Sequence, residues 1–496
     1  MTDFVTAETR SGRVRGTVER GVARFLGLPY AAPLDGAGWF LPATPPEPWD
    51  GERDATVFGP TVPKAAYDPP INEVLADEPD FPGAECLNLN VWTPDTAGSA
   101  PVLVWIHGGA FRAGTARIPT YDGAAFARDG LVFVSINYRL GALGFLDLGD
   151  DHTNVGLRDQ IQALHWVQDN IAAFGGDPAR VTIMGESAGA MSVASLLSSP
   201  LAQGLFTQTI LESGAGHHGL RRSTAQTVAR ALAAKLGVDP TREALGAVPI
   251  LEVVAASKAL SAEIAAQPDP GRWGEVVADT MAWEPTVGDD VLPVLPIESL
   301  RDGTGSDVRM LIGRNLEEGR LFIVPGGVID HIPEPAALGA AALYGFPDPQ
   351  AAVEAYRARG ARTSGELFTL LLEDRTFTVP ANRLAEARDG APSDTFVYRF
   401  DYRSTALGGT LGATHAVELP FVFDTLQRTT AQALTGPNPP QALADEMHGT
   451  WVRFARGEDP GWAPYAAGRQ VRVFGGDEPL ETDPDAAIMA VWEGVR

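Results

Sequence analysis

The stretch Val181-Thr-Ile-Met-Gly-Glu-Ser-Ala-Gly189 constrains this chain most. A β-branched run leads straight into Gly185-Glu-Ser-Ala-Gly189, and a helical pattern over Ala188–Leu197 follows at once. A strand that becomes a helix within one or two residues forces its central residue, Ser187, into a strained backbone conformation, and small neighbours relieve the crowding. Gly-x-Ser-x-Gly alone carries little, since a chain with 54 glycines meets it by chance. The strand before it and the helix after it give it weight. Such a turn exposes the Ser187 hydroxyl above a sheet, over a helix N-terminus that favours developing negative charge. Ser187 is therefore a candidate nucleophile.

The rest of the chain supplies the sheet that this turn requires. Val102–Ile106, Leu131–Ile136, Gln208–Leu211, Val308–Ile312 and Thr395–Phe400 read as buried strands. From Gly156 to Phe174, Leu157, Ile161, Leu164, Val167 and Ile171 recur at helical spacing, and Gly175-Gly-Asp-Pro178 stops that helix. Strands alternating with helices predict an α/β fold with a large, mostly parallel sheet flanked by helices. Residues 217–300 and 325–390 are Ala-rich and helical in pattern, and are expected to pack over the sheet as insertions forming a pocket cover. Residues 60–85, rich in Pro, Asp and Glu, read as a long surface loop. No Gly/Ser linker divides the 496 residues, so a single domain over 1–496 is expected.

Composition excludes several partners. The formal net charge is −25, and a surface that acidic repels phosphate backbones and anionic lipid. No apolar run approaches the roughly 20 residues of a spanning helix. The N-terminus lacks the basic and apolar regions of a signal peptide, and the chain has one cysteine, Cys86. Cytoplasmic residence, as a monomer or small homo-oligomer, is the expectation.

His107-Gly-Gly-Ala-Phe111 follows the strand Val102–Ile106. Glycines there let bare backbone N–H groups reach a carbonyl that is becoming an oxyanion, and the N–H after a nucleophile, that of Ala188, is a further donor. His107 reads as structural, its ring holding the glycine loop. Phe111 reads as a pocket wall, with core packing nearly as good a reading. A base must follow the nucleophile in this chain order, usually with an acid between. Of the 8 histidines, His415 fits, in a Gly/Ala/Thr loop after Thr395–Phe400. The adjacent His217 and His218 have no acidic ligand pattern around them and read as a loop near the pocket, so no metal and no cofactor are expected. Acidic residues between the two include Glu317 and Glu318 in Asn315-Leu-Glu-Glu-Gly319, which spacing does not separate.

Seven segments together resemble the type B carboxylesterase/lipase family, the α/β-hydrolases that include bacterial para-nitrobenzyl esterases and animal cholinesterases. They are Phe25–Ala31, Glu85–Trp92, His107–Phe111, Asn154–Gln160, Asn170–Pro178, Gly185–Ala190 and Gly412–Phe421. The resemblance implies the α/β-hydrolase fold and a Ser187–His415–Glu318 triad, with Glu317 a solvated neighbour. It implies an oxyanion hole of the Gly109, Ala110 and Ala188 N–H groups, with Gly108, Glu186 and Ser213 in support. It also implies a roomy site open to esters of bulky alcohols.

Two departures matter. Asn72–Phe81 lacks the tryptophan that cholinesterases use as a cation–π platform, which argues against choline selectivity. Val62 stands where the family's disulfide partner would be, leaving Cys86 as a small buried hydrophobe. The expected activity is hydrolysis of small-molecule carboxylic esters through an acyl-enzyme, with water as second substrate. The alternative is a carbamate or amide hydrolase with the same triad. A more remote one is a non-catalytic binding protein of the same fold.

Overall fold

The computed structural model describes residues 3–75 and 78–495. Met1, Thr2 and Arg496 of the expected domain, and Ala76 and Asp77 of the expected loop, lie outside the described residues. The strands in chain order are β1 (Asp3–Thr9), β2 (Gly12–Glu19), β3 (Val22–Pro29), β4 (Glu52–Asp54), β5 (Asn88–Thr93), β6 (Ala100–Ile106), β7 (Val132–Ile136), β8 (Gly176–Glu186), β9 (Gln208–Glu212), β10 (Leu220–Arg221), β11 (Thr286–Val287), β12 (Arg309–Asn315), β13 (Thr395–Phe400), β14 (Gln470–Phe474) and β15 (Leu480–Thr482). Thirteen of them form one sheet in the order β1-β2-β3-β5-β7-β6-β8-β9-β12-β13-β14-β15, with β4 beside β2. Every pairing from β7 to β14 is parallel. The flanking pairings β1–β2, β2–β3, β3–β5, β5–β7 and β14–β15 are antiparallel.

Burial explains which strands the sequence announces. The inner strands β7, β9 and β13 are buried at every residue, as a parallel sheet covered on both faces must be. Successive residues of β6 enter two different cores. Val102, Val104 and Ile106 pack with Leu157, Leu164 and Val167 of the helix Val155–Asn170. Leu103 and Trp105 pack with Met447, Trp451 and Phe454 of the helix Gln441–Ala455. The outer strands β1 and β2 are polar and half-exposed, so they carry no continuous apolar run.

Two local readings change. The strand into Ser187 begins at Gly176, five residues before the apolar run, because Gly175 caps the helical stretch in a left-handed conformation (φ 74°) and Gly176 pairs at once with Ala100. Residues 60–85 are not a plain surface loop. Thr61–Lys64 are buried, Ile71–Val74 form a short helix, and Tyr67, Val74 and Glu78 face the main cavity. The prolines there reflect a folded-back path, which composition alone does not separate from a solvated loop.

Residues 217–300 carry the helices Arg222–Leu236, Arg242–Gly246, Ile250–Ala266, Pro270–Trp273, Val276–Asp279 and Pro296–Arg301, with β10 and β11 paired between them. Residues 325–390 carry Glu334–Leu343, Pro349–Ala358, Ser364–Glu373 and Val379–Glu386. A π-helical stretch, Asp374–Thr378, joins the last two. Among the described residues no helix is long and apolar enough to cross a membrane.

Candidate active site

The site lies where the parallel strands end, the usual place for ligands on an open α/β sheet. β6 runs out into His107, β8 into Ser187, β9 into Ser213 and β12 into Glu318, while the loop beyond β13 carries His415.

Ser187 has φ 56° and ψ −125°, a conformation that side chains rarely adopt. Its N–H donates to the Glu212 carbonyl at 2.9 Å and its own carbonyl accepts from the Met191 N–H at 2.9 Å. The small neighbours are required by contact. A Cβ on Gly185 would lie 2.4 Å from the Gly189 carbonyl carbon, and one on Gly189 would lie 2.1 Å from the Ile106 oxygen. Ser187 is the one residue of Val181–Ala190 that is not fully buried, and it lines the main cavity.

The glycine loop wraps beside it. Gly109 has φ 117° and its missing Cβ would collide with the Ala113 oxygen at 2.2 Å. Gly108 abuts Ser187 Cβ, which a Cβ on Gly108 would meet at 3.1 Å. His107 Nδ1 lies 2.8 Å from the Gly108 oxygen, and its ring stacks on Tyr138 at 4.6 Å. Burial lowers the His107 pKa to about 4, so the ring is neutral and donates from Nδ1. Phe111 is not a pocket wall. It is fully buried and packs edge-on against Phe145 at 5.0 Å. Its positive φ of 56° turns the side chain into the core, a detail that no residue pattern announces.

His415 Nδ1 lies 2.6 Å from Glu318 Oε2. The other oxygen of Glu318 accepts the Asn315 N–H at 2.7 Å, and the Asn315 side chain donates to the Thr414 carbonyl at 2.8 Å and to Glu418. Asn315 thus ties the acid to the loop that carries the imidazole. Glu317 is not a merely solvated neighbour. Its Oε2 accepts the Ala413 N–H at 2.9 Å and its Oε1 pairs with Arg403 at 3.1 Å, so it pins the same loop from outside.

The far side of the imidazole meets Glu186, whose Oε1 lies 3.0 Å from His415 Nε2. That short approach is not aligned as a hydrogen bond, and Oε1 has no other partner among the described residues. Burial, then the charges of Glu318 and Glu212, push the Glu186 carboxyl well above its ordinary range. Burial, then the charges of Glu186, Glu318 and Glu212, do this to Glu418, and burial raises Glu212 to about 8 although the Trp451 indole donates to it at 2.7 Å. Ser213 is buried beside this group, with its N–H on the Gly313 carbonyl at 2.8 Å. Asn315, Glu212, Glu418 and Trp451 were missed as site residues. Asn315 and Glu418 stand inside the quoted motifs, but polar type alone does not reveal that they bond to the loop.

The main cavity measures about 520 Å³. Ser187, Gly109, Ala110, Glu186 and His415 form its floor, and Met281, Leu343, Tyr344 and Phe377 come from the two helical segments above. Phe322 and Phe377 lie against the His415 ring at 5.3 and 4.7 Å. His217 and His218 are buried in the turn after β9. Cys86 is buried and unpaired, its thiol pushed up to about 12 by burial.

A doubly covered, mostly parallel sheet with a strained serine at a strand-to-helix turn is the α/β-hydrolase architecture. The carboxylesterase family profile matches residues 3–333 and 349–471. The chain is 36% identical to phenmedipham hydrolase of Pseudarthrobacter oxydans, over 97% of each chain. It is 35% identical to para-nitrobenzyl esterase of Bacillus subtilis, over 96% of each. A solved carboxylesterase of Geobacillus stearothermophilus superposes with TM-score 0.86 at 36% identity, covering 98% of this chain and 99% of that one. This chain belongs to the carboxylesterase family and is a carboxylic-ester hydrolase.

Proposed function

We propose that the enzyme cleaves esters through an acyl-enzyme on Ser187, with His415 as base and Glu318 as its acid partner. The observation that carries this is the 2.6 Å Glu318–His415 contact, made on the same cavity wall as Ser187. Neutral His415 takes the Ser187 proton as Oγ attacks the carbonyl carbon, and Glu318 stabilises the imidazolium. The oxyanion forms toward the N–H groups of Gly109, Ala110 and Ala188. As the intermediate collapses, the C–O bond to the alcohol breaks and imidazolium returns the proton to the departing oxygen. Water then repeats the sequence on the acyl-enzyme and releases the acid.

Glu186, Ser213 and Gly108 support these groups. A neutral Glu186 leaves His415 free to act as base, whereas an ionised one would hold the imidazolium as an ion pair. A cavity of about 520 Å³ favours bulky esters. The unpaired Cys86 suits a reducing cytoplasm. The test is a rate panel of esters, carbamates and amides with the native enzyme and Ser187→Ala. Esters should be fastest and Ser187→Ala inactive on all; activity retained by the variant would overturn the assignment.

A further inference from the structure

Resting on that reading of the cavity, we infer that Arg112 is a specificity-determining residue that seats a carboxylate carried by one arm of the ester. Arg112 follows the oxyanion loop, with its N–H on the Gly109 carbonyl at 3.0 Å. Its side chain is half-buried and faces the main cavity, of whose lining it is the one arginine or lysine among the described residues. The guanidinium lies over the Tyr67 ring at 5.2 Å and makes no ion pair or hydrogen bond among the described residues.

The acids that share this cavity are already engaged. Asp279 is held by Arg375 at 2.6 Å. Glu78 accepts the Gly114 N–H at 3.0 Å and lies 3.9 Å from Lys64. Burial, then the charges of Glu318 and Glu212, push the Glu186 carboxyl well above its ordinary range. Arg112 has no ion-pair contact in a cavity walled mainly by apolar side chains, and Glu78 reaches it only as a charge at longer range. A guanidinium cannot shed its proton, and a partly desolvated charge without a counter-ion is unfavourable. A ligand carboxylate satisfies it with two parallel N–H···O bonds.

A second cavity supplies the room. It measures about 250 Å³ and shares Arg112 and Thr280 with the main one. Lys64 and Lys258 also line it, Lys258 being tied to Asp68 at 2.6 Å. Arg112 therefore borders both the cavity that holds Ser187 and the space beyond it. The chemical class is a half-ester of a dicarboxylic acid, or an ester of a hydroxy- or phenol-carboxylic acid.

Two matched pairs distinguish these sources. Para-nitrophenyl hemiglutarate against para-nitrophenyl valerate places the charge on the acyl arm. The butyrate ester of 4-hydroxybenzoate against that of 4-hydroxybenzamide places it on the alcohol arm. In Arg112→Gln the charged-to-neutral ratio of kcat/KM should fall about tenfold or more in at least one pair, and Arg112→Lys should recover part of it. The arm that responds identifies the source; ratios unchanged in both pairs would overturn the inference. Binding of the two charged esters to Ser187→Ala, followed by calorimetry, reads Arg112 without turnover. Adding Arg112→Gln should weaken at least one Kd by about tenfold, and equal Kd values would overturn the inference. Failure of the native enzyme to hydrolyse the neutral valerate would count against the acyl-enzyme reading, while the binding comparison would still report on Arg112.

Discussion

The floor and the roof of the cavity are built on different principles. On the floor, each functional group sits at the carboxyl end of a parallel strand or in a loop bonded to one, and backbone crowding leaves little choice of residue. Gly185, Gly189 and Gly109 all lack a Cβ where one would strike backbone atoms. The roof is helical, and Met281, Leu343, Tyr344 and Phe377 present side chains to open space. Rigid elements suit the reacting groups, whereas the roof can vary in shape without moving them. Floor changes should therefore act on turnover, and roof changes on the choice of substrate.

On the roles proposed above, the largest expected effect is at Ser187. Ser187→Ala should lower kcat on a para-nitrophenyl ester by about 10⁵–10⁶-fold with an unchanged circular dichroism spectrum. Next comes the acid. Glu318→Gln should cost about 10³–10⁴-fold, because the carboxylate that orients and charges against the imidazole is lost. Glu317→Gln should cost less than about tenfold in rate and show mainly as a lower Tm, since Glu317 holds the His415 loop from outside. Equal rate losses would show that the two carboxylates are assigned the wrong way round.

Gly109→Ala should lower kcat by about 10²–10³-fold, as displacing the loop misaims an oxyanion donor. The buried acids on the floor predict a pH effect on stability. Glu212 has its pKa raised to about 8, so it is neutral in the fold where the unfolded chain is ionised. Its contribution is present in full below the ordinary carboxylate range and is lost as pH rises toward 8. Unfolding by urea should therefore show that Glu212→Gln loses less stability than the native enzyme between pH 5 and 8. The same pH dependence in both would contradict it. The smallest effect is on the roof. Leu343→Ala should shift kcat/KM between short and bulky esters by only several-fold, as expected for a few methylene contacts.

The same contrast governs what the sequence reveals. Ser187 and the His107–Ala110 loop stand out because backbone geometry restricts the residues allowed there, and His415 because a base must follow the nucleophile in chain order. The inner strands stand out because burial on both faces makes their apolar runs continuous. The roof is helical in pattern, but an apolar residue on a helix reads the same whether it meets a core or a cavity. Phe377 is a case in point, since a π-helical stretch aims it at the imidazole. Phe111 fails in the opposite sense, being next to the oxyanion loop in sequence yet turned into the core by its positive φ. Glu317 and Glu318 are chemically identical neighbours, and only the folded loop gives one to Ala413 and the other to His415. The outer antiparallel strands β1 and β2 carry no such signal because their exposed faces interrupt any apolar run.

The central claim is that Ser187 carries the acyl group, and a para-nitrophenyl phosphonate tests it most directly. Attack should release one equivalent of para-nitrophenolate per chain, inactivate the enzyme, and leave a single phosphonyl adduct on the peptide that contains Ser187. An adduct on a different residue, or the same stoichiometric release from Ser187→Ala, would contradict the account.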